Sequence, residues 1–118
     1  MTNHFDYFRF YEMLIVIYCN EQDEILGSFT LRNGNEFGQL FVAPSHRGTE
    51  VVHLLIREAV AIVTSLGFPS IWGVGYGRMR ELLQFFARKT NVEITVEEEP
   101  DGRWQVEFQT NQGPISVP

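Results

Sequence analysis

A buried strand that passes through a short turn into a long apolar helix constrains this chain more than any other feature, and it occupies residues 38–67. Residues 40–42 (LFV) predict the strand, residues 44–48 (PSHRG) the turn, and residues from about 49 to 66 the helix, which Gly67 ends. The first N–H groups of a helix have no intrahelical acceptor and lie at the positive end of its dipole. The turn is therefore a candidate anion site, typically for phosphate. Many α/β domains contain such a unit without a ligand, so the pattern alone leaves both interpretations open.

The composition indicates one folded domain over residues 1–118. The formal net charge of −6 argues against a nucleic-acid-binding protein, because such proteins neutralise phosphates with Lys and Arg. The lone cysteine, Cys19, excludes an internal disulfide, and we interpret it as a small buried apolar residue rather than part of a cysteine-based metal site. The histidines at positions 4, 46 and 53 have no metal-ligand spacing. We therefore predict no metal site.

The hydropathy pattern predicts a protein that does not cross a membrane. No segment approaches the run of about 18 apolar residues that a membrane helix needs. The opening residues, MTNHFDYFRF, lack the basic region followed by an apolar region that is typical of a secretory signal. We expect a cytoplasmic location.

The residues before the central unit predict an antiparallel meander of three strands. Residues 7–19 (YFRFYEMLIVIYC) are aromatic and β-branched and predict one long strand, and residues 24–31 predict a second. Asn33 and Gly34 predict a tight hairpin, because both residues accept positive φ. Residues 36–42 return as the third strand and lead into the turn and the helix.

The residues after the first helix predict a second, mixed half. The pattern indicates a strand over 70–75, an amphipathic helix over 78–89, strands over 92–97 and 103–109, and an irregular tail from about 110. The predicted order is β-β-β-α-β-α-β-β. A strand, helix and strand in succession form a right-handed crossover, which makes the third and fourth strands parallel. We predict the α/β class, as an α+β fold whose mixed antiparallel and parallel sheet is covered by two main helices.

Three segments in this order resemble the GNAT superfamily of N-acetyltransferases. They are LFVAPSHRG before the first helix, LGFPSIWG after it, and LLQFFARKTNVEI in the second helix. They are similar to the family's strand–x-P-x-x-R-G, G–strand and aromatic-x-K/R-x-G-F segments, and the resemblance covers roughly residues 12–109. It implies a GNAT-like domain that transfers an acetyl group from acetyl-CoA to an amine.

The resemblance also implies where the cofactor lies. In the family, the pyrophosphate of acetyl-CoA lies on a turn Q/R-x-x-G-x-G/A, against helix N–H groups, and the pantetheine arm pairs with two splayed central strands. Arg47 matches the first basic position, whereas Glu50 and Val52 stand where the family has Gly and Gly or Ala. A carboxylate there opposes phosphate, and a β-branched side chain narrows the approach to the backbone. The implied cofactor-binding residues are Phe41, Val42, Arg47, Gly48, Thr49, Glu50, Val51 and Val52.

The catalytic residues differ from the family pattern. Family members often use a Tyr in the last helix to protonate the leaving thiolate, and the matching position here is Phe86 or Phe85. We predict Tyr76, at the end of the fourth strand, as the substitute acid and Glu36 as the base, with His46 as a further candidate base. Each of the three also has a structural interpretation without a chemical role. Tyr76 is then a half-buried aromatic residue, Glu36 a polar residue beside a hairpin, and His46 a turn residue.

Two functions stay open at this point. One is a small N-acetyltransferase whose amine acceptor the sequence does not name. The other is a GNAT-fold protein without activity that serves as a structural or interaction component, such as a bacteriophage virion protein, and is then virion-associated. The family usually has one or two helices between its first two strands, and here only residues 20–23 separate them. We therefore predict that the aromatic residues over 7–11 contact a second copy of the chain or a protein partner.

Overall fold

The architecture is one mixed sheet with a long helix packed against it. The computed structural model describes residues 2–48, 50–74, 81, 84, 94–98, 100 and 102–108, with 94–98 and 108 described as backbone only. In chain order the elements are β1 (His4–Phe10), β2 (Met13–Cys19), β3 (Ile25–Arg32), β4 (Glu36–Val42), a 3-10 turn (Pro44–His46), α1 (Val51–Ser65), β5 (Ser70–Val74), β6 (Ile94–Glu98) and β7 (Arg103–Phe108).

The seven strands follow the order β1-β2-β3-β4-β5-β7-β6 across the sheet. Neighbouring strands are antiparallel except β4 and β5, which are parallel and joined through α1. This arrangement confirms the predicted fold class and the predicted crossover. It also places the start of β4 beside β5, where Glu36 pairs with Trp72.

The first strand predicted from the sequence is two strands. Residues 7–19 belong to a hairpin in which β1 pairs with β2 over the whole of both strands, from His4 opposite Cys19 to Phe10 opposite Met13. Tyr11 makes the turn with φ of 55°, a conformation that a bulky residue seldom adopts. Four strands, rather than three, therefore precede α1, and the first strand pairs within the sheet.

The hairpin predicted at Asn33 and Gly34 is confirmed, and its loop is one residue longer than expected. Asn33 and Gly34 both have positive φ, at 51° and 93°. Arg32 pairs with Glu36, so the loop contains three residues. A Cβ on Gly34 would lie 2.5 Å from the ring of Phe68, so glycine is required by the available space as well as by φ.

Helix α1 packs on β3 through a glycine. A Cβ on Gly27 would lie 2.7 Å from Leu55 Cδ1, 2.9 Å from the Phe41 carbonyl oxygen and 3.1 Å from Val51 Cγ1. The helix can therefore approach the sheet closely at its amino end. The Gly67 N–H donates to the Thr64 carbonyl oxygen at 3.0 Å and φ at Gly67 is 88°, which is the predicted helix end.

The core lies between α1 and the sheet face formed by β2, β3, β4, β5 and β7. Phe29 and Phe37 stack inside it with ring centroids 5.4 Å apart. Leu66, the last residue of the predicted helix, follows the end of α1 and is exposed. The buried cluster consists of Val16, Leu26, Phe29, Leu31, Phe37, Val51, Leu55, Ile56, Ala59, Val60, Val63, Ile71, Trp104 and Val106.

Several predictions concern residues outside the described part of the chain. Of the predicted second helix over 78–89, only Glu81 and Gln84 are described, and both are helical and exposed. Thr49, Tyr76, Phe85, Phe86 and the tail from 110 lie outside the described residues. Within the described residues, no helix has the length and apolar character needed to span a membrane.

Candidate functional site

The two parallel strands, β4 and β5, are paired at one point. Glu36 of β4 is bridged to Trp72 of β5, and the Trp72 N–H donates to the Asn35 carbonyl oxygen at 3.0 Å. Among the residues that the structure describes, the two strands make no other bridged pair. Their carboxyl ends therefore bound an opening whose base is Glu36 and Trp72, and we call this opening the β4–β5 cleft.

A bulge in β4 accounts for this divergence. Gly38 pairs with Thr30 and Phe41 pairs with Ser28, so β4 has one more residue than β3 between these pairs. Gln39 lies in the bulge with φ of 51°, a left-handed conformation that is uncommon for a residue with a side chain. A bulge bends its strand and increases the local twist. Beyond the bulge, Phe41 and Val42 of β4 are again paired with β3. Strained conformations such as that of Gln39 are frequent at functional sites.

The open end of the cleft carries exposed apolar side chains. Phe41 is 43% exposed and Val74 is 65% exposed, and they are at the carboxyl ends of β4 and β5. Val42, between Phe41 and the turn, is half-buried and packs against the core. Ligand sites combine apolar walls with a few polar groups, and this end of the cleft has the apolar part.

The turn between β4 and α1 provides the polar part. The Ala43 N–H donates to the Leu26 carbonyl oxygen at 2.9 Å, which anchors the turn to β3. Gly48 has φ of 81°, so the turn needs glycine for its backbone conformation. Apart from Gly48 and its two neighbours in the chain, no atom of the described residues lies within 4 Å of the position that a Cβ on Gly48 would occupy. The space over this part of the turn is open to a ligand.

Two opposite charges flank Gly48. Arg47 is exposed, and its Nε donates to the Val42 carbonyl oxygen at 3.2 Å, so the guanidinium lies across the turn. Glu50 is the N-cap residue of α1, and its exposed carboxylate makes no capping hydrogen bond with the described residues. The first intrahelical bond runs from the Leu54 N–H to the Glu50 carbonyl oxygen at 3.0 Å.

The next two residues of the helix contribute backbone rather than side chains to this surface. Val51 is buried and Val52 is partly buried, and both pack on the core. The structure thus brings seven of the eight predicted cofactor-binding residues together at the open end of the cleft and on the turn, and Thr49 is the residue it does not describe.

The candidate bases lie at opposite ends of this region. Glu36 is at the base of the cleft, six residues before Val42, which corresponds to about 20 Å of extended strand. His46 is in the turn, with its Nδ1 2.9 Å from the Ser45 hydroxyl oxygen. The structure therefore separates the two candidates, and Glu36 is the one next to Trp72.

No sequence motif pointed to the residues of β5 at the base of the cleft. Trp72 also lines a cavity of about 270 Å³ on the side of β5 away from β4, together with Arg103, Trp104 and Gln105 of β7. A Cβ on Gly73 would lie 2.8 Å from the Phe37 carbonyl oxygen, so glycine permits β5 to approach β4 there. A glycine inside a strand pattern indicates such a close approach, and that was the available signal.

Known proteins resemble this chain in fold rather than in sequence. No family model matches the sequence, and no curated protein matches it. A GNAT-family acetyltransferase from Staphylococcus aureus is 12% identical, with 81% of this chain and 68% of that chain covered and a TM-score of 0.58. The dodecameric spermidine N-acetyltransferase from Vibrio cholerae is 18% identical, with 89% and 70% covered and a TM-score of 0.61. A proposed streptothricin acetyltransferase from Bacillus anthracis, solved with acetyl coenzyme A, is 16% identical, with 83% and 64% covered and a TM-score of 0.61. The chain has the GNAT fold.

The GNAT fold and the sequence resemblance agree on the same elements. The segment LFVAPSHRG contains the end of β4 and the turn, and the segment LGFPSIWG contains the residues that follow α1 and most of β5. The motif letters that depart from the family, at Glu50 and Val52, are at the amino end of α1.

Proposed function

We propose that this chain is an N-acetyltransferase of the GNAT superfamily that binds acetyl-CoA in the β4–β5 cleft. The observation that carries the proposal is that β4 and β5 share one bridged pair among the described residues, Glu36 with Trp72, and that α1 begins a short turn after β4. An extended ligand arm can pair with strand backbone that lacks a neighbouring strand.

The residues of the cleft fit the groups of acetyl-CoA in outline. The pantetheine arm pairs with the backbone of β4 beside Phe41 and Val42, and the pyrophosphate lies over Gly48 at the amino end of α1. Arg47 exchanges its hydrogen bond with the Val42 carbonyl oxygen for contact with a phosphate, because guanidinium groups bind phosphate strongly.

Glu50 weakens this binding without preventing it. Its carboxylate lies at the position where phosphate oxygens approach the helix, and like charges repel. The side chain is exposed and makes no capping bond with described residues, so it is able to turn toward solvent. Backbone donors keep their positions whatever side chain they carry. We expect weaker binding than a glycine at this position would permit.

The chemistry follows from the position of Glu36. Acetyl-CoA would supply an acyl thioester, and the amine acceptor would form the new C–N bond as the C–S bond breaks. Glu36, at the base of the cleft, accepts the proton that the amine loses, and Tyr76 gives a proton to the departing thiolate. Holding the two reactants in one orientation contributes more to the rate than either proton transfer.

The second candidate function is an interaction protein with the GNAT fold and no turnover. The exposed aromatic residues Phe8, Phe10 and Tyr11 on the β1–β2 hairpin favour this function. It includes the bacteriophage virion component considered above, whereas the transferase is proposed to be cytoplasmic. The two functions differ in whether acetyl-CoA binds and is consumed.

The test is the melting temperature with and without millimolar acetyl-CoA, on the wild type and on Glu50→Gln. A ligand that binds only the folded state adds about 2.7 kcal/mol of stability at a hundred times its dissociation constant. We expect an upward shift of a few degrees in the wild type and a larger shift in Glu50→Gln. Release of free thiol in the presence of amines then measures turnover.

Two arginine variants supply the control. Arg47→Ala should reduce the shift, whereas Arg57→Ala, which removes the same charge from the exposed face of α1, should preserve it. If acetyl-CoA raises the melting temperature of Glu50→Gln and not that of the wild type, the phosphate site of the wild type is closed. This result supports the second candidate function, an interaction protein. No shift in either protein overturns cofactor binding in the cleft.

A further inference from the structure

A cluster of four ligating side chains lies at the far edge of the sheet from the β4–β5 cleft. His4 and Cys19 are directly opposite each other on β1 and β2. Asp6 follows His4 by two residues on the same face of β1. One ligating atom of each of His4, Asp6 and Cys19 lies within 4.8 Å of the others. Asp23, in the turn after β2, completes the cluster.

Both carboxylates of the cluster approach the same nitrogen. His4 Nε2 is 3.3 Å from Asp6 Oδ2 and 3.7 Å from Asp23 Oδ1. The thiol of Cys19 lies beneath them and is buried, whereas His4 and Asp6 are 40% and 48% exposed. The imidazole, the Asp6 carboxylate and the thiol therefore lie around one point in space, and the Asp23 carboxylate approaches this point on the side of the imidazole.

The turn that carries Asp23 is held in place. Asn20 Oδ1 accepts the N–H groups of Gln22 and Glu24, each at 2.9 Å. The Asp23 N–H donates to the Asn20 carbonyl oxygen at 3.0 Å, and Asp23 has φ of 63°. The Asp23 backbone is thereby fixed relative to the end of β2, which keeps its side chain near His4.

We propose that His4, Asp6, Cys19 and Asp23 bind one zinc ion. Zinc prefers four ligands in a tetrahedron and accepts nitrogen, sulfur and oxygen donors together. Magnesium and calcium prefer oxygen donors alone, so the imidazole and the thiol favour a transition metal. Binding exchanges the thiol proton of Cys19 for the metal, and the proton goes to solvent.

For three of the four proposed ligands, the geometry is close to that of a formed site. With bonds of about 2.0–2.3 Å, neighbouring ligand atoms around a tetrahedral zinc are roughly 3.5 Å apart. The ligating atoms of His4, Asp6 and Cys19 are separated by up to 4.8 Å, so a contraction of about 1 Å is needed. The exposed side chains of His4 and Asp6 can supply it by rotation about χ1 and χ2.

The site would fasten an edge of the sheet. β1 is the outermost strand on its side and contains no fully buried residue. A zinc ion joins β1, the end of β2 and the turn before β3, three segments that are otherwise connected here by backbone pairing. This inference does not depend on the proposed transferase function, because the cluster and the cleft share no residue.

The test uses untagged, fully reduced protein titrated with Co²⁺ in the absence of oxygen. Tetrahedral Co²⁺ bound to a thiolate absorbs in the visible region and has a thiolate-to-cobalt charge-transfer band in the near ultraviolet. We expect both bands to saturate at one equivalent and to disappear when Zn²⁺ displaces the cobalt. Zn²⁺ should also raise the melting temperature.

Three variants decide the ligand set. Cys19→Ser should abolish the charge-transfer band, and Asp23→Asn should weaken cobalt binding about tenfold or more. Asp23 is 84% exposed, so its substitution does not threaten folding. His53→Gln, at a histidine on α1, is the control and should leave binding unchanged. No charge-transfer band in the wild type, or binding that Asp23→Asn leaves unchanged, overturns the proposed site.

Discussion

Two regions of the molecule are stabilised in different ways: β3 with the helix α1 that covers it, and the β1–β2 hairpin. Their strands belong to one sheet. β3 has five of its eight residues buried, and α1 packs onto it through Gly27 with no space for a Cβ. β1 has none of its seven residues buried, and it exposes Tyr7, Phe8 and Phe10. Burial of apolar surface stabilises the first region. In the second region, Val16 of β2 belongs to the core, whereas β1 is held by pairing with β2, by Phe5 packing on the core and by a few polar contacts.

Those contacts tie the hairpin to the rest of the molecule at separate points. The Tyr7 hydroxyl donates to the Glu58 carboxylate on α1, and Arg32 Nη2 lies 3.3 Å from Glu12 Oε1 at the hairpin turn. The His4 cluster joins β1 to the turn before β3. The comparison teaches that the core specifies the fold, whereas the hairpin has exposed aromatic surface and polar groups that a partner or a metal can use.

The largest expected effect comes from the same substitution made in the two regions. Phe29 is fully buried, and Phe29→Ala should lower the free energy of unfolding by about 3–5 kcal/mol. Phe10 is 65% exposed, and Phe10→Ala should change the free energy of unfolding by no more than about 0.5 kcal/mol. Urea unfolding monitored by circular dichroism measures both. Equal losses would contradict the contrast between core and hairpin, and Phe29→Leu serves if Phe29→Ala does not fold.

A smaller effect is expected where α1 meets the sheet. Gly27→Ala places a methyl group 2.9 Å from the Phe41 carbonyl oxygen and 2.7 Å from Leu55 Cδ1. Overpacking of this kind costs about 1–3 kcal/mol. The matched control is Gly38→Ala, whose methyl group would have Thr30 Oγ1 at 3.4 Å as its nearest neighbour. Thermal unfolding of the two variants should differ clearly, and equal melting temperatures would show that α1 does not depend on this close approach.

The smallest expected effect concerns Tyr7. Burial, followed by the hydrogen bond to Glu58, raises the pKa of Tyr7 from 10.0 to about 12. The folded protein therefore retains the proton more strongly than the unfolded chain does. The stability that results is complete below about pH 10 and is lost as the pH rises through about 12.

Tyr7→Phe removes this contribution. Because the side chain is half exposed, we expect a loss of at most about 1 kcal/mol near neutral pH. The difference from wild type should shrink as the pH rises from about 10 to about 12. Urea unfolding at a series of pH values measures it, with Tyr11→Phe as a control that preserves the wild-type dependence. A difference that stays constant with pH would contradict the hydrogen bond to Glu58.

The sequence predicted the parts of the fold that are encoded locally. Apolar periodicity predicted the elements from β4 to β5, and Gly67 predicted the end of α1. Asn33 and Gly34 predicted the hairpin that precedes β4. The β1–β2 turn was missed because Tyr11 is not a turn residue by preference. Glu12, the next residue of this turn, accepts a hydrogen bond from the Asn33 N–H at its backbone carbonyl oxygen, at 2.8 Å. This contact joins residues that are far apart in the chain.

The same distinction applies to the sites. The turn from Arg47 to Val52 is contiguous, so motif comparison could find it. The role of Trp72 depends on its pairing with Glu36, and the bulge at Gln39 depends on the pairing of β3 with β4. The proposed zinc site depends on His4 being opposite Cys19, and sheet register is not visible in the residues of either strand alone.

The central claim is that acetyl-CoA binds between β4 and β5 with its phosphates on the turn before α1. The most direct test is a ¹H–¹⁵N correlation spectrum of the labelled protein during a titration with acetyl-CoA. We predict that the amide signals of Gly38 to Val42 and of Gly48 to His53 shift in a saturable way, while those of β1 and β2 stay in place. Shifts confined to the hairpin, or no shifts at millimolar acetyl-CoA, would contradict the claim.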